Sequence, residues 1–173
     1  MQDITSFFER AVAREFSRDF LFRVIGINIP GFSLSEDDLV YAKSGSIPNR
    51  TIENVTAPYQ GLDFNVAGRA VYENSASYQI DFYCDANSDI HSKMIAETER
   101  VFGNDGRGDY NIGGPDSIIS LAQVDKNLAP VKTYKLIGAA IRSTGALDYT
   151  MAAGTGQIVS FSSTFAYHYY TSE

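Results

Sequence analysis

Between Leu62 and Cys84 apolar and polar residues alternate with little interruption. In LDFNVAGRAVY, Leu62, Phe64, Val66, Ala70 and Tyr72 share one parity, and Asp63, Asn65 and Arg69 the other. In SYQIDFYC, Tyr78, Ile80, Phe82 and Cys84 alternate with Ser77, Gln79, Asp81 and Tyr83. A period of two predicts strands with one dry and one wet face. Glu73, Asn74, Ser75 and Ala76 connect the runs, which predicts a hairpin between them. The parity of Leu62, Phe64, Val66, Tyr78, Ile80 and Phe82 is expected to face the core.

The rest of the chain reads as further strands and two helices. In residues 4–16, Ile4, Phe7, Phe8, Val12 and Phe16 recur at helical spacing, and Ser6 with Glu9 matches a capping box. Such a terminal helix docks on its own domain or on a neighbouring subunit. LFRVIGINI (Leu21 to Ile29) is an apolar strand closed by Pro30 and Gly31. Leu39 to Ile47 is a weaker one. Pro48 to Gly61 reads as a long connection carrying the apolar residues Ile52, Val55 and Tyr59, and connections of this length are often functional. A helix is predicted from Asp89 to Phe102, with Ile90, Met94, Ile95, Val101 and Phe102 as its stripe. Asn87 or Ser88 stands at its start and Gly103 at its end. The glycine-rich run 103–116 predicts a flexible surface loop. Strands follow at Ser117–Val124, Thr133–Arg142 and Gln157–Tyr170. In the last of these Val159, Phe161, Phe165, Tyr167 and Tyr169 oppose Ser160, Ser162, Thr164, Ala166 and His168. The sum is a mainly β (α+β) fold of about seven strands, a β-sandwich or partly open β-barrel with a flanking helix.

Length and composition place this pattern in a single domain, residues 1–173. With 11 Tyr and 11 Phe the chain is built to be ordered and β-rich. A net charge of -7 excludes tight nonspecific nucleic-acid binding, yet suits a surface that DNA slides past. Cys84 is the single cysteine, so no intrachain disulfide and no cysteine-rich metal site forms. Neither a signal peptide nor an apolar run of membrane-spanning length is visible.

Motifs for chemistry fail on inspection. Asp85-Ala-Asn87-Ser-Asp89 starts like a calcium loop, but Ile90 stands where glycine is needed and Ala96 where a bidentate Glu is needed. A helix start accounts for these residues. Asn49-Arg-Thr51 and Asn54-Val-Thr56 are glycosylation sequons that matter only in a secretory pathway. His91 and His168 sit in no relay spacing, and the glycine pairs lack the lysine and helix start of a phosphate loop. No cofactor or metal is implied. An enzyme would have to gather distant groups such as His168, Asp148 and Glu99. A monomeric ligand-binding β-sandwich module, motivated by the tyrosines and the 103–116 loop, is an alternative of another class.

The order of features resembles a family. DFLFRVIGI opens it; Ile47-Pro48 with Arg50 begins the polar segment; YQGLDFNVAGRAVYENSASYQIDFYCD and a helix follow; QIVSFSSTFAYHYY closes it. From Phe20 to Tyr170 the chain is similar to the tail tube protein of T4-type contractile-tailed bacteriophages. The strongest matches are Ile47-Pro48 with Arg50, the F-x-V-A-G of Phe64 to Gly68, and the aromatic last strand. The baseplate protein that initiates the tube and the tube protein of type VI secretion share that fold and are close alternatives. The resemblance implies hexameric rings stacked into a hollow conduit inside a contractile sheath, with each subunit giving strands to a continuous inner barrel. It implies sheath, baseplate and tail-terminator partners, location in the virion tail after assembly in the host cytoplasm, and genomic DNA passing through without specific binding. Asp63, Asn65, Arg69, Gln79 and Asp81 are then expected to line the lumen, with Arg69 neutralised by Glu73 or Asp81. Arg50, Ile52, Val55 and Tyr59 are expected to make ring-to-ring contacts.

Overall fold

The computed structural model describes residues 3–14, 17–110, 113–152 and 154–173. Its elements run α1 (Ile4–Arg14), β1 (Phe22–Ile29), β2 (Phe32–Leu34), α2 (Glu36–Leu39), β3 (Ala42–Ser44), β4 (Thr51–Tyr59), β5 (Leu62–Val71), β6 (Tyr78–Tyr83), α3 (Asp89–Val101), β7 (Ile118–Val124), β8 (Pro130–Ile137), β9 (Ala140–Thr144), β10 (Ser160–Ala166) and β11 (Tyr169–Ser172). The strands form a five-stranded sheet, β11-β8-β7-β1-β2, a four-stranded sheet, β3-β6-β10-β9, and a separate pair, β4-β5. All pairings are antiparallel. The fold is mostly β, with no closed barrel among the described residues.

The two larger sheets and α3 share one core. Val24, Ile27 and Ile29 of β1 and Ile119 and Leu121 of β7 belong to it. So do Ile80 and Phe82 of β6, Phe161 and Phe165 of β10, and Ile90 and Met94 of α3. Phe82 and Phe165 are fully buried, and Phe82 stacks on Phe161 with ring centroids 5.7 Å apart. Burying such a Phe is worth roughly 2–3 kcal/mol from transfer alone. The parities expected to be dry in β6 and β10 are the buried ones.

Several segments depart from the pattern reading, each for a local reason. Residues 48–61 are not a loop: Thr51–Tyr59 is strand β4, paired with β5 from Tyr59↔Leu62 to Thr51↔Val71. The hairpin therefore joins β4 to β5 through Gln60 and Gly61, whose φ angles of 50° and 81° are those of a two-residue turn with both residues left-handed. β5 does not pair with β6; that strand lies between β3 and β10. Leu62, Phe64 and Val66 are exposed rather than core. The expected strand at Leu39–Ile47 begins as the short helix α2. Ser35 and Asp38 form a reciprocal capping box there, and only Ala42–Ser44 extends. Two long strands are each divided. Gly138, at φ 74°, separates β8 from β9, and Tyr167–His168 separates β10 from β11. These divisions, strand β4 and the small strand β2 bring the expected seven strands to eleven among the described residues.

The helices carry their own corrections. Ser88 is the N-cap residue of α3 but its side chain makes no cap hydrogen bond; the Asp85 carboxylate instead accepts from the Asp89 and Ile90 amides at 3.0 and 3.4 Å. Phe102, expected in the α3 stripe, is exposed against Tyr110. Ser6 does not cap α1 with Glu9; its hydroxyl donates to the Asp3 carbonyl at 2.8 Å. Of the α1 stripe, Ile4, Phe8 and Val12 are exposed. Phe16 and the side chain of Phe7 lie outside the described residues.

The glycine-rich loop after α3 is tied to its surroundings over residues 103–110. Buried Glu97 holds Arg100 through two contacts of 2.7 Å, and Arg100 also donates to the Pro30 carbonyl at 3.0 Å and pairs with Asp109. One guanidinium thus ties α3, the β1–β2 turn and the loop together. Gly108 packs against the Val101 backbone where a Cβ would collide. Gly103 and Gly113 meet backbone in the same way, whereas Gly106 and Gly114 have open space beside them.

Candidate functional site

The β4–β5 pair is an arm built of two strands alone. A two-stranded hairpin is marginal by itself in water, and here almost every residue of both strands is exposed. The register sorts its side chains. Tyr59 faces Leu62, Ala57 faces Phe64 and Val55 faces Val66, which makes one continuous apolar face. Pro58 with Asp63, Thr56 with Asn65, and Asn54 with Ala67 make the opposite, polar face. Tyr59 is 64% exposed and Leu62 65%. Six neighbouring apolar side chains laid open in this way exceed what a monomer needs on its surface.

The arm is seated at its base. The Glu73 carboxylate accepts from Asn49 Nδ2 at 2.6 Å and Thr51 Oγ1 at 3.0 Å. Tyr72, at the end of β5, meets the edges of Tyr167 and Tyr170. Gly68 marks a bulge in β5: a Cβ there would lie 2.8 Å from Val55 Cγ2 and 2.9 Å from the Glu53 carbonyl. The glycine of the F-x-V-A-G run is thereby explained. Pro58, without an N–H, is tolerated because the outer edge of β4 has no strand beside it among the described residues.

The second surface is the wet face of the four-stranded sheet. Asp81 faces Ser162 on β10 and Ser44 on β3, and Gln79 faces Thr164, which in turn faces Ser143 of β9. Ser162 Oγ and Ser44 Oγ each donate to the Asp81 carboxylate at 2.6 Å, and Gln79 Nε2 donates at 2.8 Å. Partial burial pushes the Asp81 pKa up, but these three hydrogen bonds and nearby Lys43 outweigh it and hold the group below the ordinary carboxylate range. The face is therefore polar, with the Asp81 carboxylate at its centre and Lys43 close to it over the Tyr83 ring. Both edges of this sheet, β3 and β9, end without a further strand among the described residues.

The expected lumen residues thus divide between two surfaces. Gln79 and Asp81 lie on the wet face of the four-stranded sheet, and Asp63 and Asn65 on the polar face of the arm. Arg69 is paired, but by neither Glu73 nor Asp81. Its Nε meets Glu53 Oε2 at 2.7 Å across the arm, and that hydrogen bond raises the Arg69 pKa and lowers that of Glu53. The expected ring-contact residues divide as well. Val55 and Tyr59 share the apolar face; strand alternation sends Ile52 to the other side, and Arg50 precedes β4.

Groups that suggested chemistry have structural roles. His91 Nε2 meets the Gly145 carbonyl at 2.9 Å, with its ring edge-on to Phe161. His168 Nε2 lies 3.3 Å from the Gly113 carbonyl. Tyr78 donates to the Ser46 carbonyl, and burial pushes its pKa up to about 12. Among the described residues, no group of three or more His, Cys, Asp or Glu side chains is placed to hold a metal ion. A cleft of about 660 Å³ between β1, α2 and β3 is lined by Phe22, Val24, Leu39, Val40 and the charged Arg23 and Asp37, among others. Among the described residues, no helix is long and apolar enough to cross a membrane.

No protein-family model matches the chain, and no curated protein matches it in sequence. Solved structures match it in shape. The sheath/tube terminator of an extracellular contractile injection system, PVC, in the extended state has a TM-score of 0.62 at 10% identity, covering 92% of this chain and 99% of that one. The sheath–tube complex of the PVC system gives 0.60 at 9% identity, covering 100% and 99%. The baseplate of the anti-feeding prophage, 6-fold symmetrised, gives 0.58 at 14% identity, covering 88% and 90%. The chain has the fold of tube, terminator and baseplate components of contractile injection systems.

Proposed function

We propose that the chain is a structural subunit of a contractile-tail tube. The observation that carries this is the β4–β5 arm, whose apolar face is useful only when another surface covers it. The fold supports it, because the same architecture occurs in a sheath–tube complex and in a sheath/tube terminator. In this reading the four-stranded sheet is the wall. Its edges β3 and β9 meet those of neighbouring subunits, and six copies close a ring, the symmetry applied to the anti-feeding prophage baseplate. Closing a wide barrel takes more strands than one chain supplies. Gln79, Asp81, Ser162 and Thr164 then face the channel, with Asp63 and Asn65 of the arm; Arg69, opposite Glu53 beyond the bulge, shares the side of Val55 and Tyr59. The arm, with Arg50, Ile52, Val55 and Tyr59, makes the contacts between stacked rings.

A polar wall in a chain of net charge -7 fits DNA transit, since unpaired cations facing the phosphates would add attraction and slow passage. Sheath, baseplate and terminator proteins are the partners, the site is the virion tail after assembly in the host cytoplasm, and the role is not catalytic. Terminator and baseplate components share the fold, which favours a second reading in which the chain forms one ring at a tube end. Size-exclusion chromatography followed by negative-stain microscopy of the purified protein tests both. Long hollow tubes support the tube body, isolated rings support the end ring, and a protein that stays monomeric at high concentration overturns both.

A further inference from the structure

We propose that α1 of a second copy of this chain covers the apolar face of the β4–β5 arm. The inference rests on the assembly reading and adds the identity of the covering element. Ile4, Phe8 and Val12 recur every four residues, so they form one stripe along α1, and all three are exposed. Val55, Tyr59, Leu62, Phe64 and Val66 supply the large side chains of the arm's face and are exposed as well.

The two surfaces match in length. At 1.5 Å per residue the stripe from Ile4 to Val12 spans about 12 Å. At 3.3 Å per residue the row from Val55 to Tyr59 spans about 13 Å. A helix of about 10 Å diameter laid along two strands about 5 Å apart covers both rows of side chains. The exposed apolar surface of the eight side chains is on the order of 1,000 Å², the floor for a biological interface. Neither surface alone reaches it. Each copy carries one helix and one arm, so a homopolymer supplies the two in equal number. Because the surfaces differ, the contact is heterologous, and each copy can donate to one neighbour and accept from another, as a ring or stack requires.

Disulfide trapping tests this with the full-length chain. In a Cys84→Ser background, Val12→Cys is combined with Val66→Cys, and in a second protein with Leu62→Cys, which covers both directions in which a helix can lie along the arm. Oxidation of the assembled protein should give a ladder of reducible oligomers in one of the two, and no ladder in any single-cysteine protein. Mixing the Val12→Cys protein with the matching arm-cysteine protein should give a reducible dimer. Assembly without a ladder in either register overturns the inference and leaves the tube reading standing. A reducible species of monomer mass shows the helix folded onto its own arm and overturns it too. Failure of the Cys84→Ser parent to assemble overturns both readings together.

Discussion

Strands β5 and β6 carry the same sequence pattern and meet opposite fates. Both alternate apolar and polar residues, and they are separated only by Tyr72 to Ser77. In β6, Tyr78, Ile80 and Phe82 close onto the core, and Phe82 is 0% exposed. In β5, Leu62, Phe64 and Val66 stand open, and Phe64 is 51% exposed. The difference lies in neighbours: β6 sits between β3 and β10 over α3, while β5 has only β4 beside it. Alternation states that a strand has a dry face. It does not state whose atoms dry it. In an assembling protein the same code serves the subunit core and the surface kept for another copy.

The largest expected effect breaks this comparison directly. Phe82→Ala should destabilise the monomer by roughly 3–5 kcal/mol, the usual range for a buried Phe. Phe64→Ala should change it by less than about 0.5 kcal/mol, as for an exposed site. Urea unfolding under dilute conditions, where subunits are separate, measures both. The Phe64 variant should instead lose assembly. Equal destabilisation by the two substitutions would place the arm's apolar face inside the subunit.

What the sequence made legible follows from the same distinction. The dry parities of β6 and β10 and the Ile90–Met94 stripe of α3 were readable because the chain itself buries them. The β4 strand was hidden by Pro58 and by polar Thr51, Asn54 and Thr56, which read as a connection when no partner strand is in view. The turn signal lay in Gln60-Gly61, whereas the polar run Glu73–Ala76 drew the hairpin to the wrong pair. Helix α2 was masked by Leu39 and Val40, although Ser35 and Asp38 held its capping box in plain sight. The partner of Arg69 depended on a pairing register that only the β4–β5 ladder supplies: Glu53 comes within reach because the two strands fold against each other. Of the candidate site, the polar and apolar faces were legible, but their placement on two different sheets was not.

The glycines sharpen the contrast at the next magnitude. Gly138 lies at φ 74° with the His168 ring where a Cβ would sit, inside the body. Gly61 has a similar φ of 81° at the arm's tip, with nothing within 4 Å of a Cβ. Gly138→Ala meets both the left-handed penalty and a collision, and should cost roughly 2–3 kcal/mol. Gly61→Ala meets the penalty alone and should cost about 1 kcal/mol, confined to the arm. Hydrogen exchange separates them: the first should raise exchange across the five-stranded sheet, the second only in β4 and β5.

Asp81 supplies a smaller, pH-dependent effect. Its folded pKa lies below the unfolded value because hydrogen bonds from Ser162, Ser44 and Gln79 outweigh desolvation. A depressed carboxylate contributes stability that is fully present above the unfolded pKa, near 3.9, and is lost as pH falls through the folded value. Asp81→Asn should cost about 1 kcal/mol at neutral pH. Melting temperatures followed downward from pH 6 should converge with those of the parent below about pH 4. Parallel curves at all pH values would show that Asp81 contributes through shape rather than charge.

The smallest effect on folding carries the sharpest test of the channel. Glu53 and Arg69 are fully solvated on the arm, and exposed pairs of this kind contribute little to stability. Glu53→Gln should leave the unfolding midpoint of the monomer unchanged. It would, however, release the Arg69 guanidinium from its 2.7 Å contact. If Arg69 and its side of the arm face the channel, each subunit of an assembled tube then presents one free cation to the phosphates. Such tubes should retain short duplex DNA at low salt and release it as salt rises, whereas parent tubes retain none. Replacing Arg69 by Gln in the same protein should abolish the retention. Variant tubes indifferent to DNA at low salt would place Arg69 and its side of the arm away from the channel, leaving Asp63 and Asn65 on the opposite side, with Gln79 and Asp81, as the lining.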